Sequence, residues 1–378
     1  MKEHPNSQNV SGADPVTPEL FRTPPVCYRG TPFWAWNSEL EPEKLVQQIH
    51  FFKEMGFGGF YMHSRSGLTL PYMSDAFLDR VQLCVEQAAQ IGLVPHLYDE
   101  DTWPSGFAGG KAVKDHPEYR RSYLVFTPKE NQSAQRTVGR YDICLNEDGT
   151  LASYRLLQSG EQASCAEWVA QIKIEENSRR YGLSAYIDTL NPDAVRHFVS
   201  LTHEAYLKKL GTRFGTTVPS IFTDEPRITN NTLLKKNQST GFDEAVLSWT
   251  DQLPQFFYEA TGTDLLAHLP ELVWDLEGHK PSKIRWQYYD CVSEMFAQAY
   301  FGTIGAWCDN AGIAFAGHLM DEYPLRKSVA ISGDAMRCYR SMTIPGIDML
   351  CGNREYTTAK QAQSIVRQMG KKGMLSEL

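Results

Sequence analysis

Two adjacent carboxylates end an apolar run in Ile221-Phe222-Thr223-Asp224-Glu225-Pro226. Pro226 has no N–H to give a sheet ladder, so a strand stops there. Burying one carboxylate is costly, and a second beside it adds repulsion. A strand ending on such a pair is better explained by a ligand than by packing; the plainer account is a solvated turn with a helix cap. Alternation sends Asp224 and Glu225 to opposite sides, one toward a cavity and one toward supporting partners. The pattern recurs: His63-Ser64-Arg65, Tyr98-Asp99-Glu100-Asp101, and His318 with Asp321-Glu322 each follow an apolar run. Three acids in a row suit a hard cation bound through oxygen, or sugar hydroxyls, or simply water. His63, Arg65 and His318 could bind hydroxyls too, though a lone histidine is more often satisfied in a core.

The elements that must position these residues alternate. Residues 31–37 (TPFWAWN) read as a strand, 41–55 as a helix with Leu45, Ile49, Phe52 and Met55 on one face, and 60–63 as a second strand. A helix over 75–91 stops near Gly92, and 93–98 is a third strand. This order implies a parallel sheet with right-handed crossovers and ligands at the strand C-terminal ends. No G-x-G-x-x-G follows the first strand, which disfavours a dinucleotide fold. Residues 119–187 alternate apolar and polar runs with turn signals, predicting a small antiparallel β insertion. Asn191 and Pro192 open a helix over 191–210, and 218–223 is the fourth strand. Residues 227–281 form a long excursion with helical pieces around 242–261 and 265–274, suited to a substrate wall or lid. A helix over 283–310, strands at 313–318, 346–350 and 373–377, and a helix over 355–369 complete the chain. The expectation is an α/β fold: a (β/α)8 TIM-type barrel over 30–378, behind an irregular arm at 1–29. It would be truncated within strand seven, leaving unpaired edges and marking a piece of a longer protein.

Bulk properties narrow the classes. The chain has 378 residues, 42% hydrophobic and 12% aromatic, enough for a substantial core. A formal net charge of −8 and no long Lys/Arg run argue against nucleic acid as a partner. No window approaches the ~20 apolar residues of a membrane span, so no membrane partner is expected. The eight cysteines are scattered without C-x-x-C or zinc spacing, which predicts reduced, mostly buried thiols. With no secretory h-region at the N-terminus, a cytoplasmic location is expected.

Several segments in order, PFWAWN, GFGGFYMHSRSGL, YDEDTWPSGFAGG, IFTDEP, AGHLMDE and the terminal LSEL, resemble the catalytic barrel of the α-L-rhamnosidase-like glycoside hydrolases, family 106 and its relatives. The resemblance covers roughly 30–378 less the loops and the insertion. It implies inverting hydrolysis of a plant or microbial glycan or glycoside, with a calcium that helps hold sugar hydroxyls. By motif position it implies Glu225 as the general acid, Glu377 as the base and Glu322 as a metal or sugar ligand, with Asp321 beside it as a second candidate metal ligand. Relatives of this kind are longer, with β-sandwich domains after the barrel, so missing C-terminal domains of the same parent chain are implied partners.

The residues are consistent with that chemistry. Glycoside hydrolysis needs one protonated carboxyl at the leaving oxygen and one ionised carboxyl for water or for the sugar carbon. Asp224, or a shell of Trp34 and Trp36, could raise the acid's pKa. Candidate substrate contacts are Trp34, Trp36, Asn37, His63, Arg65, Tyr98, Asp99, Trp103, Asp224 and His318. Two other readings stand beside this one. A metal-dependent amide or ester hydrolase would draw ligands from His63, Asp99, His318 and Asp348, although no H-x-H pair occupies an early strand. A carbohydrate-binding or inactive protein would keep the cleft without turnover.

Overall fold

The computed structural model describes residues 17–128, 134–229, 231–236, 243–349 and 355–377. Most of the expected arm, and Leu350 and Leu378 at expected strand and chain ends, lie outside these residues. The first described element is a short helix, α1 (Pro18–Arg22), followed by a 3-10 turn at Val26–Tyr28.

Strand β1 (Phe33–Trp36) leads into α2 (Pro42–Glu54), which starts on a proline and buries Leu45 and Ile49 one turn apart. Strand β2 (Gly59–Ser64) leads into α3 (Asp75–Ile91), capped by the Ser74 hydroxyl and stopped by Gly92 at φ +71°. After β3 (Val94–Tyr98) come four strands of a second layer: β4 (Ser122–Thr127), β5 (Arg136–Leu145), β6 (Leu151–Leu156) and β7 (Ala166–Ile174). Helices α4 (Pro192–Leu201) and α5 (His203–Leu210) are two elements where one was expected; Thr202 returns its hydroxyl to the Phe198 carbonyl at the break. They precede β8 (Ser220–Asp224). Strands β9 (Thr232–Lys236) and β10 (Asp243–Trp249) follow, then α6 (Leu253–Thr261), α7 (Pro270–Val273), α8 (Lys283–Phe296) and α9 (Thr303–Ala311). The chain continues through β11 (Ala314–His318), α10 (Leu325–Ile331), α11 (Ala335–Ser341), β12 (Ile344–Asp348), α12 (Thr357–Gln368) and β13 (Leu375–Glu377).

The expected (β/α)8 barrel is not what forms. Seven strands make one all-parallel sheet in the order β1-β2-β3-β8-β11-β12-β13, curled into a half-barrel. Closure needs a tilted, staggered ring of strands with no free edge. Among the described residues β1 pairs with β2 alone and β13 with β12 alone, so the sheet stays open. The second sheet is antiparallel, ordered β6-β5-β7-β4-β10-β9. Two of its strands, β9 and β10, come from the long excursion, and β10 replaces the start of the helical piece expected around 242–261. Asp243–Trp249 buries alternate residues against β4, a period of two that a helical reading of its apolar content overlooks.

Strand alternation splits the parallel sheet into two faces. Phe33, Tyr61, Tyr98, Phe222, Ala316, Ile344 and Leu375, one from each strand, pack together on the inner face. Trp34, Phe60, Leu97, Ile221, Phe315 and Ile347 join the large core under the helices. The expectation of eight reduced thiols is also corrected. Antiparallel pairing of β5 and β7 brings Cys144 and Cys165 to a Cα separation of 5.3 Å, and they form a disulfide. Cys84, Cys291, Cys308 and Cys338 are buried thiols, Cys27 is exposed, and Cys351 lies outside the described residues. The disulfide removes the support that reduced cysteines lent to a cytoplasmic location. No described helix is long and apolar enough to cross a membrane.

Gly317 lets β8 and β11 approach. A Cβ there would lie 2.1 Å from the Thr223 carbonyl oxygen, and its φ of +146° disfavours any side chain. Gly317→Ala is expected to destabilise the protein by about 2 kcal/mol or more. Urea denaturation of the two proteins measures it, and an unchanged midpoint would show that the strands separate freely.

Candidate active site

Four neighbouring strands end on polar side chains: β8 on Asp224, β11 on His318, β12 on Asp348 and β13 on Glu377. Parallel pairing sets His318 opposite Asp224, and Asp348 opposite Glu377. His318 is buried, with Nε2 at 2.8 Å from Glu377 Oε2 and 3.4 Å from Asp224 Oδ1. Its Nδ1 is buried without a hydrogen-bond partner. Burial by itself would favour neutral imidazole. The Glu377 hydrogen bond and the charges of Asp224 and Glu322 outweigh it and raise His318 to about 10. Asp224 also accepts the Tyr98 hydroxyl at 2.5 Å; burial carries it up to about 6 against the pull of His318 and Tyr98.

Glu225 departs from the alternation that separates it from Asp224. Its φ is +49°, a left-handed conformation that a non-glycine residue adopts at a cost of about 1–3 kcal/mol. The turn brings its carboxylate, the His318 ring and Asp348 to ligand-atom separations within 4.8 Å, so both carboxyls of the pair serve one site. The Trp103 indole N–H donates to Glu225. Burial raises the Glu225 carboxyl to about 7; His318 opposes the rise, and Asp224 and Asp348 add to it. Four acids share one cation here, so the least compensated of them retains a proton most readily.

The loop carrying Trp103 is shaped by Glu100. Its buried carboxylate accepts backbone N–H groups from Asp101, Gly106, Phe107, Ala108 and Gly109 at 2.7–2.9 Å. Burial nevertheless pushes it up to about 7. The acidic run at 99–101 is therefore not a cation cluster. Asp99 turns away from the inner face: it is fully buried, accepts from Ser105 Oγ, and stands 4.0 Å from His203 on α5. His63 is buried against the Tyr98 ring, centroids 3.8 Å apart, with Nε2 on the Thr102 carbonyl; burial lowers it to about 3 and keeps it neutral.

Other expected contacts are not brought together. Trp34 and Trp36 are 6% and 1% exposed and occupy the opposite face from His63, where Trp34 donates to Gln48 and Trp36 packs on Phe77. Period-two alternation puts Phe33 and Ala35 on the inner face instead. Asn37 and Arg65 are exposed beyond the strand ends. Asp321 pairs with Lys327. Glu322 is buried, and its oxygens accept from Tyr339, Leu319 and Asp348. These two do not fit a calcium site: one carboxylate is saturated from within and the other is held by an ammonium. Among the described residues, two groups at these strand ends have ligand atoms close enough for a metal, Asp224/His318/Glu377 and Glu225/His318/Asp348. Both depend on His318, whose nitrogens carry protons in this setting, and calcium prefers an all-oxygen shell. Asp348, by sequence a candidate metal ligand, belongs to the carboxylate group; its sequence signal is the same as that of Asp224, an acid ending an apolar strand.

No protein-family model matches the chain, and a search of curated proteins found no match. Among solved structures, a rhamnosidase from Novosphingobium sp. PP1Y aligns with TM-score 0.62 at 12% identity, covering 95% of this chain and 52% of that chain. At that identity the likeness is one of fold alone. The chain spans about half the length of the structure it matches.

Replacing His318 leaves buried carboxylates without their cation. His318→Gln is expected to cost about 3–5 kcal/mol at neutral pH. The folded pKa of about 10 lies above the ordinary 6.5. The histidine's charge therefore stabilises the fold fully below pH 6.5, and that contribution is lost as pH rises through 10. Denaturation midpoints of the two proteins should converge across that window; a gap independent of pH would mean that the ring acts by packing alone.

Proposed function

We propose that the protein is a glycoside hydrolase of the α-L-rhamnosidase-like kind, in which Glu225 is the general acid and Glu377 the base. One observation carries this reading. A carboxyl with a pKa near 7 lies beside ionisable carboxylates at the strand ends, so a proton donor and an ionised acceptor can coexist at neutral pH. Trp103 holds the Glu225 carboxyl in place. Glu377 is 23% exposed and accepts from His318 through one oxygen, which leaves the second for a water molecule. The His318 proton compensates the charge that Glu377 carries between turnovers. The fold likeness to a rhamnosidase supports the class; the sugar, the glycan source and inversion at the anomeric carbon are part of the proposal.

Metal-dependent hydrolysis of an amide or ester is the second reading, favoured by the two groups sharing His318. It requires that histidine to give up its proton to a metal. Activity lost with a chelator and restored by one metal would support it.

Glu225→Gln keeps the shape but has no proton to deliver. Its loss is expected to be about 100-fold or more on glycosides with poor leaving groups and much smaller on aryl glycosides. Glu377→Gln should be severe on both, since water must be activated whatever leaves. In the unmodified protein, kcat/KM on a poor leaving group should fall as pH rises through about 7, where Glu225 ionises, and the variant should lack that limb. Near-normal rates for both variants on a cleaved glycoside would refute the pair; a proton-NMR time course of the released anomer tests inversion.

A further inference from the structure

Behind the strand end that carries Asp224 and Glu225 lies a buried polar group that the hydrolytic scheme does not use. Pairing between β3 and β8 runs to Tyr98 and Phe222, and the Asp99 N–H donates to the Phe222 carbonyl at 3.0 Å. Beyond that point Ser105 takes the place of the neighbouring strand. Its N–H donates to the Asp224 carbonyl at 2.7 Å, and its Oγ accepts the Asp224 N–H at 2.7 Å. Its own carbonyl accepts from the Tyr186 hydroxyl, and its hydroxyl donates to Asp99 Oδ1 at 2.5 Å. Ser105 is fully buried, and its N–H, carbonyl and hydroxyl are all engaged.

We infer that Ser105 is a positioning residue for Glu225: it holds the Asp224 backbone through both N–H and C=O, and the Asp99–His203 pair behind it fixes which way its hydroxyl points. A hydroxyl has one proton, and because that proton goes to Asp99 the Ser105 oxygen keeps its lone pairs for the Asp224 N–H. The Thr202 hydroxyl gives its proton to the Phe198 carbonyl at 2.9 Å and lies 2.8 Å from His203 Nδ1. Nδ1 therefore carries the imidazole proton, and Nε2 offers only a lone pair. Burial lowers His203 to about 3 and keeps the ring neutral. Nε2 faces Asp99 Oδ2 at 4.0 Å, beyond hydrogen-bond reach, and neither atom has a hydrogen-bond partner among the described residues. Burial also pushes the Asp99 carboxyl well above the usual carboxylate range. The proton it then holds belongs on Oδ2, opposite the lone pair, which leaves Oδ1 as a carbonyl oxygen that can only accept. The hold falls on the residue just before the left-handed turn, where a φ of +49° persists only if the surroundings impose it. Its consequence for catalysis rests on the hydrolytic reading above.

Two readouts separate the hold from its consequence. Hydrogen exchange at the Asp224 amide, followed by NMR in the whole protein, needs no substrate. It is expected to speed up roughly tenfold in Ser105→Ala, where the acceptor is gone. Ser105→Cys, which fills the space and accepts hydrogen bonds poorly, should do the same. Asp99→Leu should follow them, whereas Asp99→Asn should keep the slow rate, since its amide oxygen accepts from Ser105 and its amide N–H faces the Nε2 lone pair. The second readout is kcat on a glycoside with a poor leaving group divided by kcat on an aryl glycoside, a ratio that loss of folded protein does not change. Ser105→Ala should lower the ratio roughly tenfold with both KM values kept, as expected of a displaced general acid, and Asp99→Asn should leave it unchanged. Unchanged exchange in both Ser105 variants, or fast exchange in Asp99→Asn, overturns the hold. Faster exchange with an unchanged ratio overturns the positioning of the acid. If the unmodified protein releases sugar from neither glycoside, the hydrolytic reading fails, and the exchange rates alone uphold or overturn the hold.

Discussion

A single buried imidazolium organises this site. His318 ends β11 with Glu377 at 2.8 Å and Asp224 at 3.4 Å, and Glu225 and Asp348 close by. Without a positive charge among them, four carboxyls at the ends of adjacent strands could not all stay near ionisation. With one positive charge among four acids, compensation is incomplete. Burial, with the charges of neighbouring carboxylates adding to it, raises Asp224 and Glu225 against the pull of His318. The same cation thus keeps some carboxyls ionised and leaves another ready to hold a proton.

Two further devices aim the groups. The left-handed turn at Glu225 breaks strand alternation and brings a second carboxyl onto the side already occupied by Asp224. Such strain persists where its surroundings hold it; here Trp103 donates to the Glu225 carboxylate and Pro226 follows it in the chain. Trp103 is in turn positioned by a loop folded around the Glu100 carboxylate, whose backbone donors come from five residues. A buried acid that collects that many N–H groups is scaffolding, although it sits in a run that looks chemically reactive.

Much of this was legible in the residues. The strand-then-acid pattern located Asp224, Glu225, His318 and Glu377, and those side chains do converge. The failures have definite causes. The tryptophans of PFWAWN look like site residues because they are aromatic and near a strand end. Strand parity puts Trp34 and Trp36 under the helices and leaves Phe33 facing inward. Asp99 fails by the same parity. Asp321 and Glu322 looked like a metal pair, yet neighbours distant in sequence consume both: Tyr339 and Asp348 for Glu322, Lys327 for Asp321. The disulfide escaped because a separation of 21 residues says nothing until two strands pair in register.

The sequence by itself determined the elements of the parallel sheet, their order and the placement of acids at strand ends, because helix caps, glycine stops and apolar periodicity are short-range properties. Tertiary structure decided the rest. Whether seven strands close into a ring depends on the pairing of β1 with β13, which lie at opposite ends of the sheet. Which acid keeps a proton depends on how many others surround His318, a sum over strands drawn from more than 150 residues of chain (377 − 224 = 153). Burial and charge compensation are set in three dimensions, so the residue types were readable from the chain while their protonation was not.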